Sequence, residues 1–146
     1  MSFFIKAVGN PFMKLILKSP LHRVMSKNTA VISVTGRKTG KVYSFPVNYQ
    51  RDGDTVWIVS LRDRSWWKNL RKGARITIRL AGREIEGQGD VFETQQEVEI
   101  YLREYLLMQP SGAKYFDVGL DGQGDIVVED LVKASENRVM VRVRCS

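Results

Sequence analysis

Residues 31–80 read VISVTGRKTGKVYSFPVNYQRDGDTVWIVSLRDRSWWKNLRKGARITIRL, a run whose hydrophobic period is two, interrupted by turn chemistry. Val31, Ile32 and Val34 make a short β-branched strand, and residues 42–49 alternate in a second one. Pro46 lies inside that second strand and offers no amide to a ladder, which predicts an edge strand or a bulge. Asp52-Gly53-Asp54 is a hairpin signal, and residues 55–60 (TVWIVS) form the strand after it. Residues 65–71 (SWWKNLR) predict one or two helical turns stopped by Gly73. Residues 74–80 alternate again, Ala81-Gly82 turns, and residues 83–92 return as a long strand. Gly87 and Gly89 inside it predict a bulge or bend of the kind barrel closure uses.

Downstream, Thr94 with Glu97 three residues later is a capping box, opening a helix to about residue 108. Gln109-Pro110-Ser111-Gly112 ends it, and residues 113–124 are loop-rich. Residues 126–133 fit a strand or a helix, with Glu129, Asp130 and Ala134 favouring helix. Residues 138–144 (RVMVRVR) alternate as the final strand. Upstream, residues 11–18 and 20–27 read as short helices with Pro11 and Pro20 in their first turns. Their apolar faces oppose Lys14, Lys18, Arg23 and Lys27. Such a basic amphipathic segment suits covering a barrel end, or peripheral contact with an anionic membrane. The pattern predicts one α+β domain over residues 1–146, with residues 1–27 as an N-terminal helical segment. Its centre is a small barrel of about six mostly antiparallel strands with N-terminal and C-terminal helices.

The chain of 146 residues is long enough to enclose a core. No stretch approaches the ~20 apolar residues of a membrane span, so a cytoplasmic protein is expected. Cys145 is the single cysteine, which excludes an intrachain disulfide and fits a reducing compartment. His22 is the single histidine, framed by Pro20 and Arg23 as a structural residue, so no metal site is expected. No catalytic residue is assigned. The net charge of +7 conceals a split. Residues 1–83 carry 17 Lys/Arg against 3 Asp/Glu, whereas residues 84–146 carry 6 against 13. An anionic partner on the basic half would explain the split, and so would mutual neutralisation in the fold.

The turn Thr35-Gly36-Arg37-Lys38-Thr39-Gly40 is the strongest candidate site. Two glycines bracket two cations and a hydroxyl between strands, which is the chemistry of an anion cradle. It is not a Walker loop, because no helix follows it. A solvated basic hairpin tip is the plainer reading of the same residues. Trp66 and Trp67, being adjacent, point to different helix faces, so one is expected in the core and one free to meet a ligand.

These motifs in this order resemble the deazaflavin-dependent nitroreductase family, split-barrel relatives of FMN-binding flavin reductase and pyridoxamine phosphate oxidase-like proteins. The resemblance rests on T-G-R-K-T-G with Pro46 six residues later, R-D-G-D at residues 51–54, and W-W-K-N-L at residues 66–70. The segment P-x-M-K-x-x-L-K-S-P-L-H of residues 11–22 adds to it. It implies a split β-barrel holding coenzyme F420, with FMN as the alternative. Arg37, Lys38, Thr39 and Gly40 would then hold the cofactor's phosphate or tail. Val59, Ser60 and Leu61 would offer backbone groups to the ring, Trp66 or Trp67 would pack near its face, and Arg62 or Arg64 would add a cation. Tyr43 stands where such proteins often carry a second arginine. Substrate-side tyrosines have candidate counterparts in Tyr101, Tyr105 and Tyr115, although core packing is the simpler reading of Tyr101 and Tyr105.

The implied activity is transfer of a hydride from a reduced deazaflavin to an electron-poor acceptor such as a quinone or nitroaromatic. A tyrosine or bound water would donate the proton. The rivals are an FMN-binding flavin reductase-like protein and a non-enzymatic cofactor- or anion-binding module. Nucleic acid is not an expected partner, because the aromatic residues do not interleave with the basic ones on one strand. Both a monomer and a homodimer fit the pattern.

Overall fold

The computed structural model describes residues 29–145. The helices expected over residues 11–18 and 20–27, with His22 and the basic face, lie outside the described residues. Six strands follow from the alternating segments: β1 (Thr29–Thr35), β2 (Val42–Asp52), β3 (Thr55–Leu61), β4 (Ala74–Leu80), β5 (Arg83–Phe92) and β6 (Arg138–Cys145). Each neighbouring pair is antiparallel, and the sheet closes in the order β1-β2-β3-β6-β5-β4.

Alternation decides what fills the barrel. Ala30, Ile32 and Val34 of β1, Val56 and Ile58 of β3, Ile76 and Ile78 of β4, and Val139, Val141 and Val143 of β6 share one interior cluster. Trp67 and Leu70, from a 3-10 helix over Trp66–Leu70, belong to the same cluster. The outward face of β3 and β6 is covered by α1 (Gln95–Met108) and α2 (Val128–Glu136). Val98, Leu102, Tyr105 and Leu106 recur at helical spacing along α1 and pack with Leu131 and Ala134 over Met140. Each such fully buried aliphatic side chain contributes roughly 1.5–3 kcal/mol. The capping box is present as expected: Thr94 Oγ1 accepts from the Glu97 amide at 3.1 Å.

One detail departs from expectation, and one alternative left open by the sequence is met in part. Gly87 and Gly89 mark no bulge, since β5 pairs continuously with β4 and with β6 through both. They mark close approach instead. A Cβ on Gly87 would fall 2.7 Å from Val143 Cγ1 and 2.8 Å from the Arg144 carbonyl oxygen. The charge halves also meet in part, because Arg71–Glu93, Arg75–Glu86 and Arg79–Glu84 pair the basic half with the acidic one.

The seams of the barrel are unequal. The β1–β2 ladder runs the length of β1, from Thr29↔Asn48 to Thr35↔Val42. The β2–β3 ladder covers only Tyr49↔Ile58 to Asp52↔Thr55, and the β1–β4 ladder only Val31↔Arg79 to Ser33↔Thr77. Toward its turn, the β1–β2 hairpin therefore parts from the barrel on both sides. Pro46 sits in the stretch of β2 paired with β1 alone, so the edge reading holds locally within a closed barrel.

Candidate cofactor site

Each parting of the strands opens a cavity. Between β2 and β3 lies a cleft of about 520 Å³ lined by Phe45, Pro46, Val47 and Asn48 on one side and Val59, Ser60 and Leu61 on the other. Asp63, Arg64, Ser65 and Trp66 form its rim, and Tyr105 and Phe116 enclose it from the helical side. Its two strand edges carry no ladder between them, and its walls are mainly apolar. Between β1 and β4 lies a second cavity of about 430 Å³, lined by Thr35, Gly36, Arg37 and Gly40 of the turn with Asn69, Gly73 and Arg75.

The 3-10 helix is the wedge between them. Trp67 is 2% exposed and anchors it in the core, with Arg71 and Lys68 placed over its ring at 5.2 and 5.8 Å. Its neighbour Trp66 turns outward to the cleft. The indole Nε1 of Trp66 donates to Ser60 Oγ at 3.1 Å, Ser60 Oγ donates to the Leu61 carbonyl at 3.1 Å, and Phe45 meets the indole edge-on at 5.0 Å. The adjacent tryptophans thus divide as helical geometry requires, one to core and one to cavity wall.

The turn is more self-bonded than an open cradle. The Gly36 amide donates to the Lys41 carbonyl and the Gly40 amide to the Gly36 carbonyl, each at 2.8 Å. The Arg37 amide donates to Asn69 Oδ1 at 3.0 Å, and the Lys41 amide to Thr39 Oγ1 at 3.1 Å. The Arg37 guanidinium reaches back to the carbonyls of Arg71 and Gly73. Lys72 (φ 69°) and Gly73 (φ 83°) are both left-handed there. Lys38 remains exposed at the tip. Tyr43 lies across the turn, its hydroxyl 3.2 Å from Thr39 Oγ1. A Cβ on Gly36 would come within 2.8 Å of the Tyr43 ring, so the tyrosine laid across the turn leaves no room for a side chain at residue 36.

Of the residues expected at the site, Val59, Ser60, Leu61, Arg64 and Trp66 converge on the cleft, and Arg37 and Gly40 line the second cavity. Arg62 points elsewhere, its guanidinium donating to the carbonyls of Glu93 (2.7 Å) and Arg138 (3.1 Å). Tyr105 is both things weighed for it: 4% exposed in the helical core and part of the cleft lining. Burial pushes its hydroxyl pKa well above the ordinary tyrosine value, which keeps it protonated. Tyr101 instead stacks on Trp57 at 4.9 Å outside the cleft, and Tyr115 is solvent-exposed. Phe45, Asn48, Phe116 and Asn69 were not expected; only the N-L of the tryptophan motif pointed to the last.

The described residues hold no cluster of His, Cys, Asp or Glu able to bind a metal, and no helix long and apolar enough to cross a membrane. Residues 18–130 match the family described as F420H(2)-dependent quinone reductase. No curated protein matches the chain by sequence. Among solved structures, the chain is similar to a FAD-binding protein from Mesorhizobium loti, with TM-score 0.54 and 13% identity over 88% of this chain and 90% of that one. A putative pyridoxamine 5'-phosphate oxidase from Listeria innocua gives TM-score 0.52 and 10% identity over 84% and 87%. A FAD and heme binding protein from Mycobacterium smegmatis gives 0.52 and 12% over 96% and 68%. At these identities the likeness is one of fold.

Proposed function

Since the chain belongs to the F420H(2)-dependent quinone reductase family, we propose that the β2–β3 cleft and the Thr35–Gly40 turn are the two ends of its cofactor site. The chain is an F420-dependent oxidoreductase, and FMN, a flavin like the FAD bound by a protein of the same fold, is the alternative ligand. Its residues suit the group. A mostly apolar slot bordered by two strand edges that do not pair with one another suits a planar ring with polar edges.

When bound, the reduced deazaflavin supplies a hydride to an electron-poor acceptor such as a quinone or nitroaromatic. The protein orients the ring and keeps water from it. Val59, Ser60 and Leu61 offer main-chain groups along one edge, Trp66 walls one side, and Phe45 and Phe116 keep the slot apolar. Lys38 and the cavity beside Arg37 face the anionic phosphate and tail. The Tyr105 hydroxyl, protonated and carried by a residue that lines the cleft, is the group suited to hydrogen-bond the acceptor. The cleft where strands of a closed barrel part is the observation that carries this reading.

Titration of the purified protein with oxidised F420 and with FMN, followed by reduced F420 with a soluble quinone, tests it. Saturable F420 binding and quinone-dependent oxidation of reduced F420 are expected. A folded protein that binds neither cofactor would overturn the site assignment, whereas FMN binding alone would change the cofactor and keep the site.

A further inference from the structure

Asn69 stands between the two cavities. Its Oδ1 accepts the Arg37 amide at 3.0 Å, and its Nδ2 donates to the Trp66 carbonyl at 3.0 Å. One partner belongs to the turn that lines the second cavity, the other to the residue that walls the cleft. Both are main-chain groups, and the carboxamide accepts from one and donates to the other with the same planar head. The element that carries it is short and fixed from beneath by buried Trp67 and Leu70. The hairpin above it is held to the barrel by two short ladders. A shift of the turn relative to the wedge is therefore transmitted to Trp66 through this side chain.

We infer that Asn69 is a positioning residue that couples the anion-facing turn to the ring-facing cleft, so that occupying one raises the affinity of the other. The inference rests on the two-ended cofactor site proposed above. Linkage requires the effect to be reciprocal: an anion in the turn favours the ring as much as the ring favours the anion.

The experiment separates the two ends of the ligand. Inorganic phosphate is the anion probe, and phosphate-free 8-hydroxy-5-deazariboflavin is the ring probe. Ring affinity is measured in the wild type with and without saturating phosphate, at constant ionic strength. An increase of about fivefold or more is expected, together with a phosphate-induced change in tryptophan emission that is lost in Trp66→Phe. In Asn69→Ala, with phosphate raised until it saturates that variant, the increase should fall to about onefold. Independent binding in the wild type would overturn the coupling while leaving the cofactor site intact. Undiminished coupling in Asn69→Ala would overturn the role of Asn69. Failure of both probes and of intact F420 would overturn the site itself and the coupling with it. Should the alanine variant not fold, Asn69→Asp takes its place with the same expectation, since it keeps the size and the acceptor for the Arg37 amide and loses the donor to the Trp66 carbonyl.

Discussion

Trp66 and Ser60 are joined by a hydrogen bond of 3.1 Å from indole to hydroxyl, although they lie on different elements, one on the 3-10 helix and one on β3. The bond fixes the plane of the indole where it borders the cleft. Ser60→Ala should leave the fold intact and free that plane. Losing one such bond is worth about 1 kcal/mol, so the dissociation constant for the bound cofactor should rise roughly fivefold. Fluorescence titration of the two proteins checks this.

The two cations of the turn should separate cleanly. Arg37 is engaged with the carbonyls of Arg71 and Gly73, whereas Lys38 is exposed at the tip. Arg37→Ala is expected to lower stability by about 1 kcal/mol, read as a drop of a few degrees in melting temperature. Lys38→Ala should leave the melting temperature unchanged, weaken cofactor binding and make it less sensitive to salt.

Tyr105→Phe probes the hydrogen-bond donor proposed for the acceptor in the cleft. The hydroxyl has no hydrogen-bond partner among the described residues, so its removal should change stability by less than ~0.5 kcal/mol. Quinone turnover should nevertheless fall roughly 5- to 150-fold for the loss of one such hydrogen bond, with cofactor affinity retained. Because burial raises the tyrosine pKa, wild-type turnover should show no loss from this group as pH rises toward the ordinary value of 10.0. Steady-state rates across pH test both statements.

Glu93 gives a stability prediction with a definite sign. Its hydrogen bond and ion pair with Arg71 hold the carboxyl below its ordinary value of 4.5. A depressed carboxylate contributes stability that is fully present above its unfolded-state pKa and is lost as pH falls through the folded one. The stability difference between wild type and Glu93→Gln should therefore be seen near neutrality and vanish in strong acid. Denaturant melts at several pH values measure it.

Gly87→Ala should destabilise by about 1–3 kcal/mol, since the new methyl would meet Val143 and the Arg144 carbonyl. Gly112→Ala is the matched control, with nothing within 4 Å of its added Cβ. Urea unfolding of the pair decides whether crowding, rather than loss of glycine as such, is the cause.

Strand positions were legible because Val and Ile alternate with Ser, Thr or Trp over residues 29–35 and 55–61, and with Arg or Thr over residues 74–80 and 138–145, which records which face meets the core. The capping box and the division between Trp66 and Trp67 follow from helical geometry alone. What stayed hidden depends on register between distant strands. Gly87 looks the same in sequence whether it permits a bulge or a close neighbour, and only its pairing with Cys145 distinguishes them. The retreat of the Arg37 guanidinium onto Arg71 and Gly73, and the arrival of Tyr105 and Phe116 at a cleft bounded by β2 and β3, are tertiary facts with no local signature.

The shortness of the two ladders flanking the β1–β2 hairpin makes that hairpin the clasp of the barrel. Four of the six seams share the mechanical load, and the two lightest ones border the cavities. Amide hydrogens along the parted edges would exchange with solvent sooner than those deep in the β3–β6 seam. A ligand bridging both gaps would act as a missing stave, closing the clasp from outside. Occupancy and resistance to unfolding would then be a single selectable property, and a cell short of cofactor would also be short of the durable form of the protein.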